Sequence, residues 1–245
     1  RERNKRRLLV TISILPSLMT LGNGLLGFAA IHLATRSAID SQTTMLGTAA
    51  WLLFAAMICD MLDGRIARFA RKTSDFGGQL DSMCDVISFG VAPAVLMLRT
   101  VMSAIHAPVG NVPLLGRLSD IGVERVLWLI GGIYVAGAVM RLARFNVENE
   151  PDESAHMSFR GLPSPGAAAA VATLVLLFDH LKQFNEASWA GGWLGQDAAL
   201  WLAAAVSIVL PIMTLAVGLL MVSNLPYPHV VNQYIRGRKP FGYLV

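Results

Sequence analysis

From Leu8 to Thr35 the chain carries no Asp, Glu, Lys or Arg. A segment of that length can cross the hydrocarbon core of a bilayer with some tilt. The pattern recurs from about Thr43 to Cys59, Asp81 to Ala104, Val126 to Val139 and on into Arg141, Leu162 to Leu181, and Ala198 to Ser223. Only 15% of the 245 residues are charged, against about 25% in a soluble domain. A chain so apolar, with about six such stretches, is expected to be an all-α polytopic membrane protein. Pro16 near the start of the first span and Pro211 inside the last are expected to cause a local break and a kink.

Lys and Arg placement predicts the orientation. With the N-terminus in the cytoplasm, the inner segments hold Arg1, Arg3, Lys5, Arg6, Arg7, Arg65, Arg68, Arg71, Lys72, Arg141, Arg144, Arg160, Arg236, Arg238 and Lys239, which is 15 of the 20 basic residues. The opposite side keeps Arg36, Arg99, Arg117, Arg125 and Lys182. Both ends are therefore expected on the cytoplasmic side of the cell membrane. The apolar run behind the basic segment 1–7 is far longer than the core of a secretion signal, so the first span is expected to be retained. The remainder reads as one membrane domain over 1–245, with a tail at 224–245, an outer loop at Ala107–Glu124 and an inner polar loop at Glu148–Ser158.

Cys59 and Cys84 form no CxxC, and no paired His or HExxH is present, so a zinc site is not expected and the thiols read as reduced packing residues. Gly22, Gly24 and Gly27 read as a helix-packing face. Trp128, Trp189, Trp193 and Trp201 lie near span ends and read as interfacial anchors.

The chemistry concentrates between Asp60 and Asp85. Asp60 and Asp63 are three apart at the inner end of the second helix and share a face. Asp81 and Asp85 are four apart at the expected start of the third helix and share another. A short connection makes the two helices antiparallel neighbours, so four carboxylates converge near the membrane surface. Ionisable groups at that depth are costly and usually functional. An all-oxygen ligand set suits Mg²⁺ or Mn²⁺, and two such ions can clamp a diphosphate while a phosphorus–oxygen bond breaks. Gly64, Gly77 and Gly78 leave room for close approach, and Arg68 can neutralise phosphate oxygens. Simple Asp–Arg pairing in a solvated loop does not account for four carboxylates between apolar spans. A proton-relay transporter would explain acids in spans but not their clustering beside glycines and arginines.

The run from Asp60 to Asp85 reads D-x2-D-G-x2-A-R-x8-G-x3-D-x3-D. It resembles the CDP-alcohol phosphatidyltransferase signature at every fixed position. The segments Leu15–Asn23, Arg141–Val147 and Phe159–Gly166 resemble the phosphatidylserine synthase branch, although Ser17 stands where Asn is usual and Gly166 where Ala is usual. The resemblance implies a six-helix bundle, a homodimer and an active site open to the cytoplasmic leaflet. It implies that Asp60, Asp63, Asp81 and Asp85 hold divalent metal, that Asp85 is also the general base, and that Thr20, Asn23, Asp63, Gly64, Ala67, Arg68, Ser74 and Gly77 cradle the nucleotide and diphosphate. The implied reaction moves a phosphatidyl group from CDP-diacylglycerol to the hydroxyl of L-serine. Arg141, Arg144 and Arg160 would grip the acceptor. Arginine suits a carboxylate or a phosphate equally, so a phosphorylated polyol remains an alternative acceptor at this point. No nucleic-acid partner is expected.

Overall fold

A computed structural model of the protein describes residues 2–36, 45–70, 75–106, 121–148, 161–186 and 196–223, with side chains described over 16–36, 45–66, 76–105, 122–147, 161–183 and 198–223. Regular structure among the described residues is helical throughout. The elements are α1 (Glu2–Arg36), α2 (Met45–Ala70), α3 (Asp75–Asp85), a π-helical turn (Val86–Val91), α4 (Ala92–His106), α5 (Ile121–Glu148), α6 (Ser164–Glu186) and α7 (Gln196–Val222). Helices satisfy every backbone polar group within the segment, which a hydrocarbon environment demands.

Among the described residues, six segments are long and apolar enough to span a bilayer: Pro16–Arg36, Met45–Ile66, Phe76–Ile105, Gly122–Val147, Ser164–Gln183 and Ala198–Val222. The protein is a multi-pass membrane protein. Leu25, Phe28, Trp51, Leu129 and Ile212 face outward, as a lipid-facing surface requires. Trp128 and Trp201 are also exposed; Trp189 and Trp193 lie outside the described residues. Leu53, Leu96, Met97, Tyr134, Val171 and Leu210 fill the interior.

Helix α1 packs along α2 and crosses α3 and α4; α2 also packs on α6; α5 and α6 both pack on α7. Small residues set the closest crossings. A Cβ added to Gly24 would lie 2.9 Å from Cys84 Sγ, and one added to Gly27 would lie 2.7 Å from Ser88 Cα. Cys59 and Cys84 are free thiols, and Cys84 is buried. A second close crossing joins α5 to α7, where a Cβ on Gly137 would lie 2.5 Å from the Gly218 carbonyl oxygen. Gly161 has φ +88°, and a Cβ there would meet the Met221 carbonyl oxygen at 2.5 Å. Only glycine suits that backbone. The segment is tied down by the Leu162 amide, which donates to the Leu220 carbonyl at 3.2 Å.

Several boundaries differ from the sequence expectation. Helix α2 runs on from Cys59 to Ala70, so the first half of the signature is helical. The third span begins at Asp75, which places Asp81 inside the helix and not at its start. Weak propensity at Gly77 and Gly78 does not prevent this, because α3 packs against α1 and tertiary contact overrides local preference. Helix α1 is continuous through Pro16 rather than broken there. Helix α5 begins at Ile121, so the expected outer loop gives up its last four residues, while its part at 107–120 lies outside the described residues. Pro211 lies within α7.

A packing prediction follows from the α1–π-turn crossing. Gly27→Ala forces α1 away from Ser88 and should destabilise the fold by about 1–3 kcal/mol. Gly132→Ala, where an added Cβ meets nothing within 4 Å, should be neutral or gain up to about 1 kcal/mol of helix propensity. Thermal unfolding of the two variants in detergent checks this. Equal behaviour would contradict the close crossing.

Candidate active site

The site is assembled from three helices at one end of the bundle. Helix α2 supplies Asp60 and Asp63, and α3 supplies Asp81 and Asp85. One oxygen from each of Asp60, Asp63 and Asp81 lies within 4.8 Å of the other two. Helix α1 closes the side of the cluster. Thr20 Oγ1 donates to Asp63 Oδ2 at 3.0 Å, and Asn23 Nδ2 donates to Asp85 Oδ1 at 2.8 Å. Thr20, Asn23, Asp63 and Asp85 are all buried.

The donor set fits a hard divalent cation. All ligand atoms are carboxylate oxygens, the preference of Mg²⁺ and Mn²⁺. Asp81 Oδ1 is buried and has no hydrogen-bond partner among the described residues. Such an orphaned acceptor costs about 1–3 kcal/mol, and more when charged, unless a cation engages it. A Cβ at Gly64 or Gly78 would meet no described atom within 4 Å. Phosphate oxygens could approach the backbone there.

Arg141 reaches the same region from α5. Its Nη1 donates to Ser164 Oγ at 2.7 Å, and its charge acts on Asp60 and Asp85. Ser164 is the first residue of α6 and is fully buried. The Pro163 carbonyl accepts from the Ala167 amide at 3.0 Å, which opens the helix. Ser164 thus serves as a partner for the guanidinium. Arg144 is half-buried one turn further along α5, and Phe145 is exposed. Asn146 Nδ2 donates to Ser82 Oγ at 2.9 Å, tying the end of α5 to the residue after Asp81.

The structure therefore gathers Thr20, Asn23, Asp60, Asp63, Asp81, Asp85 and Arg141. Gly77 is half-buried on α3. Ala67 and Arg68 belong to α2, but their side chains lie outside the described residues, as do Ser74 and Arg160 entirely. Two contributors escaped sequence reasoning. The π turn Val86–Val91 begins directly after Asp85, and Ser88 within it donates to the Asn23 carbonyl at 2.8 Å. Tyr134 on α5, fully buried, donates to the Phe89 carbonyl at 2.9 Å. No local residue signal marks a π turn, although such turns cluster at functional sites. An apolar groove of about 570 Å³ between α4 and α5, bordered by Leu98, Trp128 and Met140, contains none of the site residues.

The chain is similar in sequence to several named proteins. A protein of Helicobacter pylori named CDP-diacylglycerol–serine O-phosphatidyltransferase is 32% identical over 216 residues, covering 88% of this chain and 72% of the relative. A protein of the same name from Mycobacterium tuberculosis is 33% identical over 187 residues, and the aligned part covers 75% of this chain but only 55% of that relative. A third, from Bacillus subtilis, is 27% identical over 218 residues, covering 89% of this chain and 92% of the relative. The sequence model of one family, CDP-alcohol phosphatidyltransferase, matches residues 13–218. A match of that extent includes α2, α3 and every carboxylate of the cluster, and the chain belongs to the CDP-alcohol phosphatidyltransferase family.

Proposed function

We propose that this membrane enzyme transfers the phosphatidyl group of CDP-diacylglycerol to the hydroxyl of L-serine, giving phosphatidylserine and CMP. The observation that carries the reading is the convergence of the Asp60, Asp63 and Asp81 oxygens within 4.8 Å, with Asp85 and Arg141 close by. The names of the relatives support serine as the acceptor. Enzymes of this family depend on divalent metal, and here Asp60, Asp63, Asp81 and, at the edge, Asp85 would hold Mg²⁺ or Mn²⁺, two ions in all. When bound, the metal offsets the charge of the diphosphate and of the departing CMP.

The chain's own residues do the rest. Gly64, Gly77 and Gly78, with Ala67, Arg68 and Ser74, cradle the nucleotide diphosphate. Thr20 and Asn23 fix two carboxylates from α1. Asp85 accepts the proton of the serine hydroxyl as its oxygen bonds to the lipid-side phosphorus. The bond from that phosphorus to the bridging diphosphate oxygen breaks, and CMP leaves with the electron pair. A carboxylate is a weak base for an alcohol, so alignment supplies much of the rate. Arg141, Arg144 and Arg160 bind the serine carboxylate. The site opens to the cytoplasmic leaflet of the cell membrane, both ends of the chain lie on that side, and the single membrane domain works as a homodimer.

Purified protein supplied with CDP-diacylglycerol, Mg²⁺ or Mn²⁺ and a panel of acceptors tests the reaction. Phosphatidylserine and an equal amount of CMP should appear with serine. Product only with glycerol phosphate or inositol phosphate would move the acceptor pocket to a phosphate ligand. Chelation should abolish turnover, and so should Asp60→Ala, Asp63→Ala and Asp81→Ala in protein that still inserts and folds. Full activity in chelator would remove metal from the mechanism.

The arginines give a separate test. Arg141→Ala or Arg144→Ala should raise the KM for serine more than that for CDP-diacylglycerol. Losing a buried, charged hydrogen-bond partner costs roughly 2–5 kcal/mol. If only the lipid requirement rises, these arginines hold donor phosphates and not the acceptor.

A further inference from the structure

We infer that Asn23 is a positioning residue for Asp85, itself held in register by the π turn that follows Asp85; the inference rests on the proposed role of Asp85 as base. The resemblance implied a place for Asn23 in the nucleotide cradle; the described hydrogen bond of its side chain goes to Asp85. Asn23 is fully buried, and its Nδ2 donates to Asp85 Oδ1 at 2.8 Å. Its Oδ1 is buried and has no hydrogen-bond partner among the described residues. A buried amide with an unpaired acceptor carries a cost that packing alone does not offset. Here the donor end is committed to Asp85, and the acceptor end has no partner among the described residues.

The anchor of Asn23 is equally specific. Its backbone carbonyl accepts from Ser88 Oγ at 2.8 Å. Ser88 is fully buried and lies three residues beyond Asp85, inside the π turn. The contacts close a ring: Asp85, the π turn, Ser88, the Asn23 backbone, the Asn23 amide, and Asp85 again. Gly27 permits the ring, because any Cβ there would collide with Ser88. Tyr134 braces the far side through the Phe89 carbonyl at 2.9 Å. With Oδ1 of Asp85 held by Asn23, Oδ2 is the oxygen left both for an edge contact with metal and for an incoming hydroxyl. The ring thus selects both the rotamer and the working oxygen of the base.

The test is a double-mutant cycle with two readouts, single-turnover rate and CDP-diacylglycerol affinity in the presence of Mn²⁺. Asn23→Ala should slow turnover by about 10²-fold, the effect of an ångström-scale misplacement, with donor affinity unchanged. Ser88→Ala should act in the same direction but more weakly, about 5-fold, as the loss of one ordinary hydrogen bond. Adding Asn23→Ala to Asp85→Asn should cost no further rate, because residues acting as a unit are not additive. Donor affinity that falls in step with turnover would overturn the assignment and return Asn23 to the cradle. An additive loss in the double variant would overturn it too. Should Asn23→Ala fail to fold, Asn23→Ser and Ser88→Ala carry the same comparison. The two ideas fail separately: near-normal turnover of Asp85→Asn removes the base itself, whereas an inactive Asp85→Asn beside a fully active Asn23→Ala removes only the positioning role.

Discussion

Mutual repulsion among carboxylates at the edge of an apolar bundle is the constraint that the rest of the structure answers. Two unit charges 4.8 Å apart repel by roughly 3 kcal/mol at an effective dielectric of about 20. Asp60, Asp63 and Asp81 lie within that distance, and Asp85 is buried on the same helix as Asp81. The protein offsets part of this with Thr20 and Asn23 from α1 and with the charge of Arg141 from α5. Among the described residues, Asp81 Oδ1 has no hydrogen-bond partner. An oxygen-only cluster with a residual excess of negative charge could hold a divalent cation.

The fold can be read as the means of keeping that cluster together. Carboxylates contributed by two helices stay near one another only if the helices are fixed by a third. Gly24 and Gly27 let α1 approach α3 and the π turn closely enough for Thr20 and Asn23 to reach the acids. On the other side, Gly161 turns the chain against the end of α7 and sets Ser164 where Arg141 can use it. Replacing either glycine face would loosen the site without touching a charged residue.

Much of this was legible in the sequence. The apolar runs disclose six spans because a bilayer imposes length and forbids charge. The spacing of Asp60, Asp63, Asp81 and Asp85 discloses the gathering of carboxylates because helical periodicity puts residues three or four apart on one face. The small-residue face of α1 was also visible. The helix limits were not: Asp81 was expected at a helix start, yet α3 begins at Asp75 because contact with α1 outweighs the weak propensity of its glycines. Nor was the π turn, since nothing in Val86–Val91 differs from an ordinary apolar stretch. The link between Ser88 and Asn23 spans 65 residues and exists only once α1 and the third span are packed.

The most direct test of the central claim is a count of bound Mn²⁺. Purified protein titrated with Mn²⁺ in the presence of CDP-diacylglycerol, and followed by the loss of the free-ion electron paramagnetic resonance signal, reports occupancy without relying on turnover. The parent protein should bind the ion saturably, two per chain, while Asp60→Ala and Asp81→Ala should leave most of the signal free. Equal binding by the parent and the variants would contradict a metal site built from these carboxylates.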